Sequence, residues 1–285
     1  FMKDVFNQCD FLLTQEHWLL DSELHKYQLI DTNTHIVISG KSAMDSNVIR
    51  VNGRPHGGVC IMWRSDINYE VRPVDTISNR LTCVQVKLDD TNHILLFNVY
   101  MPCDDQCYGT NLCIFQDVLS EIVQVCNSTE SNIIGGDFNT DFSRKSPQTS
   151  ELVNYIQNEE ILACSLLELS EVSYTYESHI NGNKSLIDHF VVTKNLKGCI
   201  SSYRAYDTVD NMSDHICVIM DLNIKCEYLC SNVDKIFKPR IAWYKTDISD
   251  YEKYRALLDE QLDTIEIPVS VHNAKIYIVI NIIAT

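Results

Sequence analysis

The chain is short of positive charge. Its 23 lysines and arginines face 39 aspartates and glutamates, a formal net charge of −16 with the histidines neutral. This excludes a broad basic surface that would hold nucleic acid unaided, because such binding rests on clustered lysine and arginine. It leaves open a phosphate site built around a cation, since carboxylates hold the ion and the ion inverts the local charge logic. Long apolar runs are lacking too. The longest, residues 276–284, is interrupted by Asn281 and too short to span a bilayer, so no membrane segment is expected. There is no Gly/Ser linker, block of like charge or repeat of solenoid period. No serine or cysteine sits in a nucleophile elbow. The chain opens at Phe1 without a charged and then apolar leader. Its twelve cysteines are scattered, and Cys60, Cys83, Cys199 and Cys217 lie inside apolar runs, as reduced core residues do. Both features point to an intracellular protein, nuclear or cytoplasmic, rather than a secreted one. The pairs Cys103/Cys107 and Cys226/Cys230 have three-residue gaps but no matching partners for zinc, and read as free thiols.

What is present is an ordinary globular composition, 45% hydrophobic and 22% charged over 285 residues, enough for one large core or two modest ones. Residues 2–8 read as the end of a helix, and 10–15 (D-F-L-L-T-Q) as a short buried strand followed at once by Glu16, His17 and Trp18. Residues 59–63, 81–88 and 94–100 read as three more strands, closed by Pro102. Over 111–126, Leu112, Phe115, Val118, Leu119, Ile122 and Val123 recur at helical spacing, with Asp117, Glu121 and Gln124 opposite. A strand at 132–134, a helix at 150–158 and strands at 186–193 and 217–224 follow. Strands outnumber helices about two to one, too many for simple βαβ alternation. The expected architecture is α/β, a sandwich of two mixed β-sheets packed face to face with helices outside.

Such a fold delivers residues to one rim, so the polar side chains that end strands are the candidates. The stretch I-I-G-G-D-F-N at 133–139 is the most suggestive. Its glycines allow a sharp turn or a close approach, and Asp137 and Asn139, two apart in extended chain, share one face. Glu16 ends one strand, Asn98 and Tyr100 another; Asp188 and His189 interrupt S-L-I-D-H-F-V-V, and Ser213-Asp214-His215 begin the last strand. This is a carboxylate-rich set with a histidine acid/base and a tyrosine hydroxyl.

In order, Q-E at Gln15 and Glu16, N-x-Y-x-P at 98–102, G-D-F-N at 136–139, S-x-I-D at 185–188 and S-D-H at 213–215 resemble the endonuclease/exonuclease/phosphatase superfamily. More narrowly, L-L-T-Q-E-H-W-L, R-P-H-G-G-V at 54–59 and R-I-A-W-Y-K at 240–245 look like the apurinic-type endonuclease domain of non-LTR (LINE-like) retrotransposon proteins. The resemblance implies a four-layer, DNase I-like sandwich over residues 1–225, a connector with one helix at 226–264 leading towards a reverse transcriptase, and an apolar tail at 265–285 that fits neither. It implies that Glu16 holds a catalytic Mg²⁺ (or Mn²⁺), with Asp214 as a metal-site or water-network carboxylate. By the same resemblance Asp137 orients and deprotonates the attacking water, Asn139 holds the phosphate, Tyr100 contacts the scissile phosphate and Asn98 is a rim hydrogen bonder. Asp188 and His215 match an Asp-His pair in which the carboxylate fixes the imidazole that donates to a non-bridging oxygen. His17 and His189 flank these motifs and read equally well as structural histidines.

The implied activity is in-line hydrolysis of a phosphodiester, nicking one DNA strand to leave a 3′ hydroxyl. The chain departs from the family at both ends. The family opens with a strand carrying an asparagine upstream of the Q-E motif, and this chain begins too late to contain it; the first strand is expected to be missing and the fragment to fold poorly alone. The tail at 265–285 is expected to be a truncated or misread gene end. The alternatives are a phosphatase or phosphodiesterase of the same superfamily acting on a small phosphorylated substrate, and an inactive remnant.

Overall fold

The structure, a computed structural model, describes residues 1–44, 56–89, 92–105, 109–126, 131–229, 252 and 269–282. By its own contacts the chain divides into Phe1–Ile224 with Ala274–Thr285, and Lys225–Asn273. Helix α1 (Met2–Phe6) leads into β1 (Phe11–Gln15), whose five residues are all buried, as its unbroken F-L-L requires of a strand covered on both faces. A 3₁₀ segment at Asp21–Leu29 precedes β2 (Ile36–Lys41). Then come β3 (Val59–Arg64), β4 (Glu70–Val74), β5 (Leu81–Lys87) and β6 (His93–Tyr100). Helix α2 (Thr110–Cys126) crosses over to β7 (Asn132–Asp137), and α3 (Pro147–Asn158) leads to β8 (Ile161–Ala163). The two-residue strands β9 (Tyr176–Glu177) and β10 (Lys184–Ser185) form a hairpin ahead of β11 (Asp188–Thr193), β12 (Ile200–Tyr206), β13 (Cys217–Leu229) and β14 (Val269–Ile282).

Two six-stranded sheets result, in the orders β12-β13-β14-β1-β3-β2 and β4-β5-β6-β7-β11-β8. Both are mixed: β1 pairs parallel with β14 and β6 parallel with β7, while β1/β3, β5/β6 and β7/β11 are antiparallel. The parallel β6/β7 pair needs a crossover, which α2 provides. Its stripe Phe115, Val118, Leu119 and Ile122 is buried against Phe97, Val99 and Ile134 of the second sheet. On the far side, Val5 and Phe6 of α1 and Tyr27 of the 3₁₀ segment pack on Leu12, Cys60, Met62 and Ile219 of the first sheet. Helix, sheet, sheet, helix: this is the DNase I-like four-layer sandwich.

Several edges of this plan were not legible in the sequence. β4 alternates between exposed and half-buried residues and contains Pro73, so it carries no apolar signal at a sheet edge. Helix α3 starts at Pro147, three residues before its apolar stripe suggests, because the Ser146 hydroxyl caps it by accepting from Thr149 N at 3.0 Å. The apolar stretch expected as a tail contains β14, which lies between β13 and β1 with Phe11 beside Ile278 and Gln15 beside Ile282. The first sheet is therefore continuous through its centre, with this late strand, and none upstream of α1, beside β1 among the described residues. Arg54 and Pro55, the segment 240–245, Cys107, Cys230 and most of the connector expected at 226–264 lie outside the described residues.

Candidate active site

The second sheet assembles the site by register. Gly136 adopts φ +144, and a Cβ there would lie 2.0 Å from the Val99 carbonyl oxygen, so only glycine lets β7 run this close to β6. The glycine pair thus serves close approach to a neighbouring strand; β7 does not turn there. With β7 so placed, Asp137 stands beside Tyr100 of β6 on one side and Asp188 of β11 on the other. His215 reaches this row from the segment before β13. Its Nδ1 lies 3.0 Å from Asp188 Oδ2. Asp137, Asp188 and His215 are all buried, and one ligand atom from each lies within 4.8 Å of the others.

Glu16 joins from the first sheet. It follows β1 directly in left-handed backbone, φ 51, and accepts a hydrogen bond from the Tyr100 hydroxyl. The two sheets are tied behind it by Asn98, which is fully buried; its amide donates to the carbonyls of Thr14 and Cys60, both at 2.9 Å, and accepts from Gln15 Nε2. Asn98 thus sits in the interior, where it fixes β1, and not at the rim. Asn139, in left-handed backbone (φ 48) that asparagine tolerates, donates from its backbone N to Asp137 Oδ1 at 2.7 Å. Its amide donates to Met101 O at 2.8 Å and to Asp137 Oδ2 at 3.2 Å, orienting the carboxyl.

Burial and crowding set the charges. Burial, with Asp188 alongside, lifts the Asp137 carboxyl to about 8, against smaller pulls from His215 and the Asn139 N–H. Burial opposes charge on His215, but the Asp188 carboxylate outweighs it through charge and hydrogen bond, with Asp137 and Asp214 adding, and the imidazole is raised to about 9. His215 is therefore an imidazolium at neutral pH. Its Nδ1–H donates to Asp188, leaving Nε2 for a ligand. Burial and the bond to Glu16 keep the Tyr100 hydroxyl protonated.

The remaining expected residues are placed as follows. Asp214 is half-buried beside His215, and its carbonyl accepts from Glu177 N at 2.9 Å. His189 is structural: Nε2 donates to Thr140 O at 2.8 Å, so Nδ1 accepts from the Ser165 hydroxyl at 3.0 Å. His17 is likewise buried and bonded to backbone.

Three residues of the site had not been singled out in the sequence. Buried Thr175 accepts through Oγ1 from the N–H groups of Ile187 and Asp188 (both 3.1 Å), and its carbonyl accepts from Ile216 N at 2.7 Å. It thereby fixes Asp188 and His215 together. Tyr176 packs its ring on His215 with centroids 5.0 Å apart. Arg80 lies 5.1 Å from the Tyr100 ring centroid and donates to Tyr100 O at 3.1 Å. The only sequence signal for them is membership of Y-T-Y-E and of the turn before β5, since cross-strand neighbours are remote in sequence.

The donor set suits a hard divalent cation. Two carboxylates and an imidazole, Asp137, Asp188 and His215, meet within a small volume, Asp137 is held back from ionising, and the buried Oδ1 of Asp188 has no hydrogen-bond partner.

Comparison with known proteins agrees with this fold. The sequence model of the endonuclease-reverse transcriptase family matches residues 94–219, from β6 through His215. No curated protein sequence matches the chain. Among solved structures, the AP endonuclease LMAP from Leishmania major aligns with a TM-score of 0.59 and 15% identity, over 75% of this chain and 79% of that one. The 3′ phosphatase NExo from Neisseria, in a structure bound to product DNA hairpin, aligns at 0.57 and 16%, over 75% and 89%. An AP endonuclease from Archaeoglobus fulgidus aligns at 0.54 and 14%, over 74% and 87%. The chain resembles the endonuclease/exonuclease/phosphatase superfamily in its ordered motifs and shares that superfamily's fold.

Proposed function

We propose that this chain is a divalent-metal-dependent phosphodiesterase that nicks DNA in the manner of a retrotransposon endonuclease domain. The observation that carries the reading is the unbroken polar row Glu16, Tyr100, Asp137, Asp188, His215, drawn from both sheets to one rim. Glu16, with the facing carboxylates and Asp214 as further candidates, would hold Mg²⁺ or Mn²⁺. When bound, such an ion polarises a phosphoryl oxygen and lowers the charge build-up in the transition state. Asp137, whose carboxyl retains a proton readily, is the base that takes one from the attacking water. Asn139 holds that carboxyl in place, and its longer, 3.2 Å bond is the one a phosphate oxygen would compete for. His215, an imidazolium braced by Asp188, donates through Nε2 to a non-bridging oxygen, where charge develops in phosphoryl transfer. The Tyr100 hydroxyl faces the same phosphate. In a longer parent protein the natural partner is a reverse transcriptase.

The test is nicking of supercoiled plasmid in Mg²⁺. EDTA and His215→Ala should each abolish it, the substitution by about 10²- to 10⁴-fold, the usual worth of a positioned acid. Nicking that survives both would overturn the assignment. The net charge of −16 favours a second reading, a small phosphorylated substrate in place of DNA. Phosphate release from such esters, without plasmid nicking, would select it.

A further inference from the structure

Glu16 does not sit in relaxed backbone. It and Trp18 both have left-handed φ, 51 and 53, although neither is a glycine or an asparagine, the residues that take this conformation readily. The turn is held from the far side by the glycine pair of the G-G-V segment: Glu16 N donates to Gly58 O at 2.9 Å and Trp18 N to Gly57 O at 3.0 Å. Between these two bonds the His17 ring is buried, 7% exposed. Its Nε2 lies 3.0 Å from Lys41 O, at the end of β2, and its Nδ1 3.1 Å from Leu19 N. A carbonyl only accepts and an amide only donates, so the proton is on Nε2 and the ring is neutral. Gly58 completes the seat: at φ +98, a Cβ there would stand 2.4 Å from His17 Cε1.

We propose that His17 is a positioning residue for Glu16: its imidazole, clasped between the Lys41 carbonyl, the Leu19 amide and the bare backbone of Gly58, locks the turn that aims the Glu16 carboxylate at Tyr100. The inference rests on the reading of Glu16 as a metal holder. It gives a purpose to the glycines of the H-G-G-V motif, whose carbonyls hold the backbone on either side of His17. The two ring nitrogens do separate work, and two substitutions divide it. His17→Gln can still donate to Lys41 O, and His17→Asn can still accept from Leu19 N; His17→Ala does neither.

The experiment is Mn²⁺ binding to the full chain by calorimetry, well below the unfolding temperature, with thermal midpoints recorded in parallel. Glu16→Gln tests the underlying reading and Phe6→Leu, under the same sheet, controls for lost packing. His17→Ala and Gly58→Ala should each weaken Mn²⁺ by about 10- to 100-fold, the usual cost of losing a group that orients a metal ligand. The glutamine and asparagine variants should fall between alanine and wild type, and Phe6→Leu should lower the midpoint while leaving Mn²⁺ affinity intact. If Glu16→Gln loses Mn²⁺ while the His17 variants bind as wild type does, the positioning role is overturned and the metal reading stands. If Glu16→Gln binds normally, the metal reading fails and this inference with it. Should His17→Ala not fold, the glutamine and asparagine variants decide: weakened Mn²⁺ at a near-normal midpoint supports the role, and unchanged affinity overturns it.

Discussion

Burial beside Asp188 makes a charge on Asp137 costly in the metal-free fold. The carboxyl has an ordinary value of 3.8 and a folded value of about 8. A group raised in the folded state contributes stability that is complete below the unfolded value and is lost as pH rises through the folded one. Asp137→Asn, which keeps an oxygen for the Asn139 N–H, should therefore stabilise the metal-free protein at pH 8.5 and make little difference near pH 4. Thermal melts at the two pH values in EDTA check this. His215, raised from 6.5 to about 9, acts in the same sense over its own window. Stability that its pairing with Asp188 provides below pH 6.5 should fade through pH 9, and His215→Ala should flatten that part of the profile. These residues were legible in the sequence because each belongs to a short motif. Thr175 and Arg80 were not, since what places them is a hydrogen bond to Asp188 N–H and a ring contact with Tyr100, both set by strand neighbours far away in the chain.

Among elements, β14 has the most to answer for. It sits at the centre of the first sheet and parallel to β1, the strand that leads into Glu16. Ile276 and Ile278 are each 2% exposed, and burying two such side chains stabilises by roughly 3 to 6 kcal/mol at about 1.5 to 3 each. Set against a typical stability of about 5 to 15 kcal/mol, that is decisive. A chain ending at residue 264 should lose its cooperative thermal transition, whereas removal of the α3 cap by Ser146→Ala should cost only about 0.5 to 2 kcal/mol. The contrast is measurable by denaturant unfolding. The interior strands β1, β3, β5, β6 and β7 could be read from apolar runs. The edges and the two-residue hairpin could not, because an exposed or very short strand leaves no periodic trace. β14 was visible as an apolar run but not as a strand with a place, since parallel pairing with β1 joins opposite ends of the chain.

At the scale of the molecule, the acidic balance and the carboxylate site are one property. With a net charge of −16 the surface does not draw in a polyanion, so on the metal-dependent reading proposed above recognition would fall to a cation and the few donors around it. The cation should then hold the fold as well as the substrate. Free Mg²⁺ at about 100 times its dissociation constant would add about 2.7 kcal/mol, so the unfolding midpoint should rise with Mg²⁺ and fall back in EDTA. Asp188→Asn should blunt that response.

Hydrolysis of a phosphodiester by water activated at Asp137 leaves an isotopic signature that oxygen-18 labelling reads. The purified chain would be given a DNA duplex and Mg²⁺ in H₂¹⁸O, and the cleaved ends analysed by mass spectrometry. The expected products are a 3′ hydroxyl and one labelled oxygen in the new 5′ phosphate, with no product from Asp137→Asn. Label in a 3′ phosphate, or cleavage that survives the loss of Asp137, would contradict it.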